Sequence, residues 1–108
     1  MPRSATLRFP VKVEGLSDGT TAELQLRKRE DGLHIGFILR HGTCTAVRWA
    51  AFSVAYLGIQ DLTSALNRRR VTIRLQKIED GHYLVLVYKL VEYRVHLPAQ
   101  VPTVLFAA

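Results

Sequence analysis

The sequence predicts a mainly β (α+β) single domain, an antiparallel β-meander with two pseudo-repeated Asp-Gly hairpins and one short helix between them. Three observations support this fold class. Apolar and polar residues alternate along several segments, which is the period of a half-buried strand. Asp-Gly occurs twice between such segments, as expected at tight hairpin turns. Only residues 59–69 combine apolar residues at helical spacing with suitably charged ends.

The first strand is predicted over residues 6–14, where apolar side chains at odd positions alternate with mostly polar ones. Because Pro10 has no N–H to donate, this strand is expected at the edge of a sheet. A turn at residues 15–19 separates it from a second strand over residues 21–29. The inward residues of that second strand are expected to be Ala22, Leu24 and Leu26.

The first Asp-Gly pair, Asp31 and Gly32, is predicted to form the two-residue loop of a hairpin. Type I′ turns need positive φ at both central residues, which Asp-Gly favours. This register pairs inward residues with inward ones, as a two-residue loop requires. The expected opposite pairs are Arg29 with His34, Leu26 with Phe37, Leu24 with Leu39, and Glu23 with Arg40.

Residues 23–42 align with residues 72–91, so that Glu30-Asp31-Gly32 falls on Glu79-Asp80-Gly81. The same offset places residues 50–57 on residues 99–106. We therefore predict a structural repeat, with units at about 21–58 and 70–106 and the helix at about 59–69. The alternative is that two hairpins with similar turns resemble each other by chance.

The predicted helix has one face made of Ile59, Leu62, Ala65, Leu66 and Arg69. Asp61 lies near its positive end, and the arginines at 68–70 lie near its negative end. These arginines could clamp phosphates, or they could serve only to offset the helix dipole.

The sequence does not decide the structure of two segments. Residues 46–58 fit a buried strand or an upstream extension of the helix, and Val47, Trp49 and Phe52 favour the strand. Residues 83–97 are too long for one strand and change their apolar phase, which predicts a bulge or a tight turn near Leu90. The segment after Pro98 is expected to dock as a last strand or to pair with another subunit.

Charge favours a polyanionic partner, because 15 Lys and Arg outnumber 9 Asp and Glu and give a net charge of +6. The single cysteine, Cys44, excludes an intramolecular disulfide. No signal-peptide pattern is present, and the longest nearly apolar stretch is far shorter than the ~20 residues that a membrane helix needs. A cytoplasmic protein without a membrane partner is expected.

The outward sides of the predicted strands collect basic side chains that could follow a phosphate backbone, and an aromatic among them could stack on an unpaired base. Phe9, Phe37 and Trp49 are expected to face the core instead. The alternative is a solvated face that happens to be rich in arginine. The candidate nucleic-acid-binding residues are Arg8, Lys12, Arg27, Arg29, Arg40, Arg68, Arg69, Arg70, Arg74, Lys89 and Tyr83.

No residue pattern indicates catalysis, a metal or a cofactor. His41 and Cys44 have a two-ligand spacing within a predicted loop, but a closed zinc site needs four ligands. Asp31 and Asp80 precede glycines in turns, where aspartate is favoured for backbone reasons. Phosphate-binding loops, dinucleotide fingerprints and nucleophile elbows are missing from the sequence. We therefore expect a protein that is not an enzyme.

The order of several strands followed by a helix resembles the layout of the PUR-repeat and Whirly families, which bind single strands. The resemblance covers residues 24–66, ending in Ile59-Gln-Asp-Leu-Thr-Ser-Ala-Leu66, and departs where a second helix would follow Phe106. It implies a non-enzymatic domain that binds single-stranded or irregular DNA or RNA through its basic sheet face. The alternative is a structural or assembly protein, such as a viral or multiprotein-complex subunit, that self-associates through sheet edges and its apolar C-terminus.

Overall fold

The computed structural model describes residues 6–30, 32–52 and 59–107. It contains seven strands in two antiparallel sheets with a short helix between them, which confirms the predicted mainly β meander. The first sheet comprises β1 (Thr6–Val11), β2 (Thr21–Arg29), β3 (Gly32–His41) and β4 (Cys44–Phe52), in that order. Helix α1 (Ile59–Asn67) leads to the second sheet, formed by β5 (Thr72–Ile78), β6 (Gly81–Tyr88) and β7 (Val91–Pro98), and a 3-10 turn spans Thr103–Leu105.

Strand β1 lies at the edge of its sheet, as Pro10 predicts, but it ends earlier than expected. The chain leaves the first sheet and forms a parallel bridge between Glu14 and Arg74 on β5. The Glu14 N–H donates to the Ile73 carbonyl at 3.0 Å, and the Leu75 N–H donates to the Glu14 carbonyl at 2.9 Å. The segment after Val11 therefore ties the two sheets together rather than extending β1.

The predicted register of the first hairpin was wrong by two residues. Gly32 belongs to β3 and pairs with Arg29, so only residues 30 and 31 lie between the strands. Leu24 accordingly opposes Phe37, not Leu39. A shift by an even number leaves every side chain on its face, so Ala22, Leu24 and Leu26 are buried as predicted. Asp31 itself lies outside the described residues.

The second hairpin repeats the first. Gly81 pairs with Ile78, and the Leu24–Phe37 pair corresponds to Ile73–Leu86 in the second copy. The correspondence ends after β3 and β6. In the alignment, the turn between β6 and β7 comes two residues earlier than the turn between β3 and β4. The strand that follows the second hairpin is β7, and residues 99–106, which the alignment places on 50–57, form a turn and the 3-10 element.

Residues 46–52 are confirmed as strand, within β4. The prediction that this strand is buried was wrong, because most of its residues are exposed or half-buried. The remainder of the ambiguous segment, residues 53–58, lies outside the described residues. The tight turn expected near Leu90 is also confirmed. Lys89 and Leu90 separate β6 from β7 and have φ of 48° and 66°, and Leu90 is completely exposed.

We predict that Leu90→Gly raises the free energy of unfolding by about 0.5–1 kcal/mol. Glycine adopts positive φ without the Cβ clash that leucine suffers, and this gain exceeds its greater entropy loss on folding. No buried area is lost, since the leucine side chain is in solvent. Urea denaturation measures the change. Leu90→Ala is the matched control and should show no such gain, because alanine keeps the strained Cβ. Equal gains in the free energy of unfolding for both variants would contradict the explanation.

One core is shared by the inner faces of both sheets and by α1. Leu26 and Phe37 of the first sheet are almost completely buried, as are Leu86 of the second and Leu62 of the helix. Burying a large aliphatic side chain contributes about 1.5–3 kcal/mol, so this shared core is what holds the sheets together. The outer faces of the two sheets therefore lie on different sides of the molecule.

The C-terminal segment docks on its own chain. Leu105 is fully buried, and its carbonyl accepts a hydrogen bond from the Ser17 N–H at 3.0 Å. Phe106 bridges Leu16 and stacks on the His82 ring with centroids 4.1 Å apart. Partial burial, with a smaller contribution from the charge of Lys77, lowers the pKa of His82 below its ordinary value.

Candidate nucleic-acid interface

The outer face of the first sheet carries a group of residues that we call the basic face. Alternation along the strands turns these side chains away from the core, opposite the buried leucines of β2. Glu23 is the one acid among the outward positions of the four described strands. The basic face consists of Arg8 on β1, Arg27 and Arg29 on β2, Arg40 on β3 and Trp49 on β4.

Trp49 was expected in the core, and that prediction was wrong. The ring is 38% exposed on the outer side of β4. His41 pairs with Cys44 across a two-residue turn, and this register places Ala46 and Phe52 on the inner side and Trp49 on the outer side. Because β4 has apolar residues on both faces, hydrophobicity alone could not decide its orientation. Phe37 is buried and Phe9 packs against the core, as predicted.

The Trp49 ring lies directly over Gly36, its partner on β3. A Cβ atom at position 36 would stand 2.6 Å from the Cδ2 and Cε2 atoms of the ring. Glycine is therefore required for the indole to lie close against the sheet. This contact holds the ring across the strands and leaves part of its surface in solvent.

Arg27 completes an arginine–tryptophan pair. Its guanidinium carbon lies over the Trp49 ring, 4.9 Å from the centroid, within the range of a cation–π contact. Its Nε also donates to the Thr6 hydroxyl at 3.1 Å. Two contacts from different strands thus orient the guanidinium on the sheet face.

The other arginines of the basic face lie at different distances from this pair along the strands. Arg8 and Arg29 are its near neighbours in the register, whereas Arg40 pairs with Thr21 at the far end of β2. Arg8, Arg29 and Arg40 are exposed, and none of them forms an ion pair within the described part of the chain. The carboxylate of Glu23 instead accepts a hydrogen bond from Gln25 Nε2 at 2.9 Å. The basic face can therefore offer several arginines to an anionic ligand without first breaking a salt bridge between described residues.

Arg74 and Tyr83 lie on a different surface, the outer face of the second sheet. Arg74 and Arg94 flank Val85, which is completely buried between its neighbours. Arg94 also lies 5.9 Å from the Tyr83 ring centroid. The sequence prediction missed Arg94 because this residue follows the change in apolar alternation near Leu90. The alternation of Tyr93, Val95 and Leu97 on the other side of β7 was the pattern that could have placed Arg94 outward.

Arg94 forms an ion pair with a glutamate, and the neighbouring Tyr83 and His96 contact each other. The Nη2 atom of Arg94 lies 2.9 Å from Glu92 Oε2, and an exposed ion pair of this kind contributes little to the free energy of unfolding. His96 stacks at a tilt on Tyr83 with centroids 5.6 Å apart, and its Nε2 lies 3.2 Å from the Asp80 carbonyl oxygen. Counted over the described residues, this second surface holds fewer cations without an ion-pair partner than the basic face.

The other predicted residues are placed elsewhere. Lys12 and Arg69 line a cavity at the end of α1, and Arg68 and Arg70 follow the same helix. Lys89, expected on a strand beside Arg74, lies in the β6–β7 turn, where its Nζ is 5.4 Å from the Tyr88 ring centroid. The structure thus gathers only Arg8, Arg27, Arg29 and Arg40 on one sheet face.

His41 and Cys44 were expected in a loop, which was wrong. They are paired residues at the ends of β3 and β4. The Nδ1 atom of His41 lies 3.0 Å from the Thr20 hydroxyl oxygen. Among the described residues, no three side chains of histidine, cysteine, aspartate or glutamate are grouped as metal ligands.

Comparison with known proteins gives no independent guide. No protein-family model matches the chain, no curated protein matches its sequence and no solved structure matches its fold. In residues 6–30, 32–52 and 59–107, the structure contains no helix with the length and apolar character to cross a membrane.

Proposed function

We propose that this protein is a non-enzymatic domain that binds single-stranded or irregular DNA or RNA on its basic face. The observation that carries the proposal is the Arg27–Trp49 pair, held against Gly36. Arg8 and Arg29 are near it on the same face, and neither has an ion-pair partner among the described residues. Phosphates would contact the arginines, and an unstacked base would lie against the guanidinium or the indole. Both kinds of contact are independent of base identity.

The geometry favours an unpaired strand over a regular duplex. The exposed ring of Trp49 and the guanidinium over it offer a stacking surface, and stacking requires a base that is free of its neighbours. Each such contact is worth about 1–3 kcal/mol, whereas each arginine adds a salt-sensitive contact to one phosphate. The combination predicts binding that is strongest for single strands at low salt.

The test is a titration of labelled single-stranded and duplex oligonucleotides across a range of salt concentrations, followed by fluorescence anisotropy. We expect affinity for single strands to fall steeply with salt. Arg27→Ala with Arg29→Ala should reduce the slope of log affinity against log salt by about 0.7 for each phosphate contact removed. Lys28→Ala is the matched control, since it removes a cation from the same strand on the opposite side.

Two results would overturn the proposal. One is the absence of binding to any oligonucleotide at low salt. The other is a change of slope in the Lys28→Ala control that is equal per charge removed, because that would assign the effect to net charge and not to the basic face.

A structural or assembly role is the second candidate, favoured by exposed apolar side chains on an edge strand. Val47 is 50% exposed beside Trp49 on β4, which has no strand paired to its outer edge among the described residues. The apolar C-terminus supports this role less, since Val101 and Leu105 are buried in their own chain. Light scattering that shows a fixed oligomer, dissociated by Val47→Lys, would favour assembly.

A further inference from the structure

A cavity of about 530 Å³ lies between the end of β1, the end of α1 and the start of β5. Its volume falls within the range of small-molecule sites. The walls are mostly apolar, and two cationic side chains, Lys12 and Arg69, complete the lining. The apolar lining residues are Pro10, Val11, Leu66, Val71 and Ile73.

Arg69 occupies a backbone position that normally belongs to glycine. Its φ is 55°, its N–H donates to the Leu66 carbonyl at 3.2 Å, and the Arg70 N–H donates to the Ala65 carbonyl at 2.8 Å. These bonds form a Schellman motif, in which the left-handed residue is usually glycine. An arginine here accepts conformational strain, and strain of this kind concentrates at functional sites.

The cavity has an uncompensated positive charge. Neither Lys12 nor Arg69 has a salt-bridge partner among the residues that the structure describes, and no acid lines the cavity. The negative end of the helix dipole is nearby, but the carbonyls of Ala65 and Leu66 are already satisfied by the Schellman bonds. Both cations are solvent-exposed, which places them at the open side of the cavity.

We propose that this cavity binds a small amphipathic carboxylate. Its hydrocarbon body would contact Val11, Leu66 and Val71, and its carboxylate would be held by Lys12 and Arg69. Charge-assisted hydrogen bonds to a carboxylate are among the stronger polar contacts in proteins. A nucleobase suits the site less, since aliphatic walls offer its edges no hydrogen-bonding side chains.

The test uses decanoate as the probe in isothermal titration calorimetry, below its micelle concentration. We expect saturable binding with one site, and much weaker binding of decanol and of inorganic phosphate, which lack the charge and the apolar body respectively. Lys12→Ala and Arg69→Gly should each weaken decanoate binding by about tenfold or more. Arg69→Gly should at the same time raise the unfolding midpoint, because glycine relieves the strained cap.

Arg68→Ala is the matched control, since Arg68 does not line the cavity, and its decanoate affinity should be unchanged. Arg27→Ala with Arg29→Ala should also bind decanoate normally, which separates this site from the basic face. Absence of saturable decanoate binding would overturn the inference. Equal binding by Lys12→Ala and the unmodified protein, or phosphate binding that needs no hydrocarbon, would do so as well.

Discussion

Gly81→Ala is expected to lower the free energy of unfolding by about 3–5 kcal/mol. A Cβ at this position would overlap the Leu97 carbonyl oxygen and would stand 3.0 Å from the Pro98 carbonyl carbon. Those atoms belong to the backbone of β7, which is paired to β6 along its whole length and cannot move aside cheaply. The φ of 125° is also unfavourable for any residue with a side chain.

Gly42→Ala is the control for this variant. Gly42 also has positive φ, at 58°, but a Cβ there would meet no atom within 4 Å. Its substitution should cost only about 1 kcal/mol, the intrinsic penalty of a left-handed residue. Urea unfolding followed by circular dichroism measures both variants. Similar losses would show that the contact with β7 is not the cause.

Trp49→Ala is expected to weaken binding to single-stranded oligonucleotides by about 5- to 150-fold, the equivalent of one stacked base at 1–3 kcal/mol. Because tryptophan carries no charge, the salt dependence of binding should keep its slope. Arg27→Ala with Arg29→Ala should change that slope instead. A change of slope therefore reports phosphate contact, and a loss of affinity at constant slope reports stacking.

Gly36→Ala tests the same surface without removing an aromatic or a charge. The added Cβ would overlap the Trp49 ring, and the ring must move away from the sheet. We expect a loss of affinity similar in direction to that of Trp49→Ala, together with a change in tryptophan fluorescence. Val47→Ala is the control for a general apolar contribution, since Val47 is exposed on the same face of β4. Normal binding by Trp49→Ala would disprove a stacking role.

The parts of the fold that could be predicted depend on local chemistry. The Asp-Gly signals and the period-two alternation identified both hairpins and the buried face of β2, because turn geometry and side-chain alternation act over a few residues. The register was harder to predict, since a shift of two residues conserves every face. The loop between Arg29 and Gly32 became clear only from the backbone pairing.

The candidate site was less predictable than the fold. The sequence placed Arg8, Arg27 and Arg40 outward correctly by alternation, but it assigned Trp49 to the core by its apolar character. The orientation of Trp49 depends on the turn that joins β3 to β4, and its position over Gly36 depends on a partner in another strand. Neither dependence is visible in the alternation of β4 itself.

By itself, the sequence determined the strand-rich composition of the chain, its two similar hairpins, its short helix and its excess of positive charge. The tertiary structure decided how that charge is divided. Two sheets that share one core must turn their outer faces to different sides, so Arg74 is separated from Arg27, and the crossing after β1 brings Lys12 to the same cavity as Arg69. These placements depend on packing between residues far apart in the chain, which no local pattern encodes.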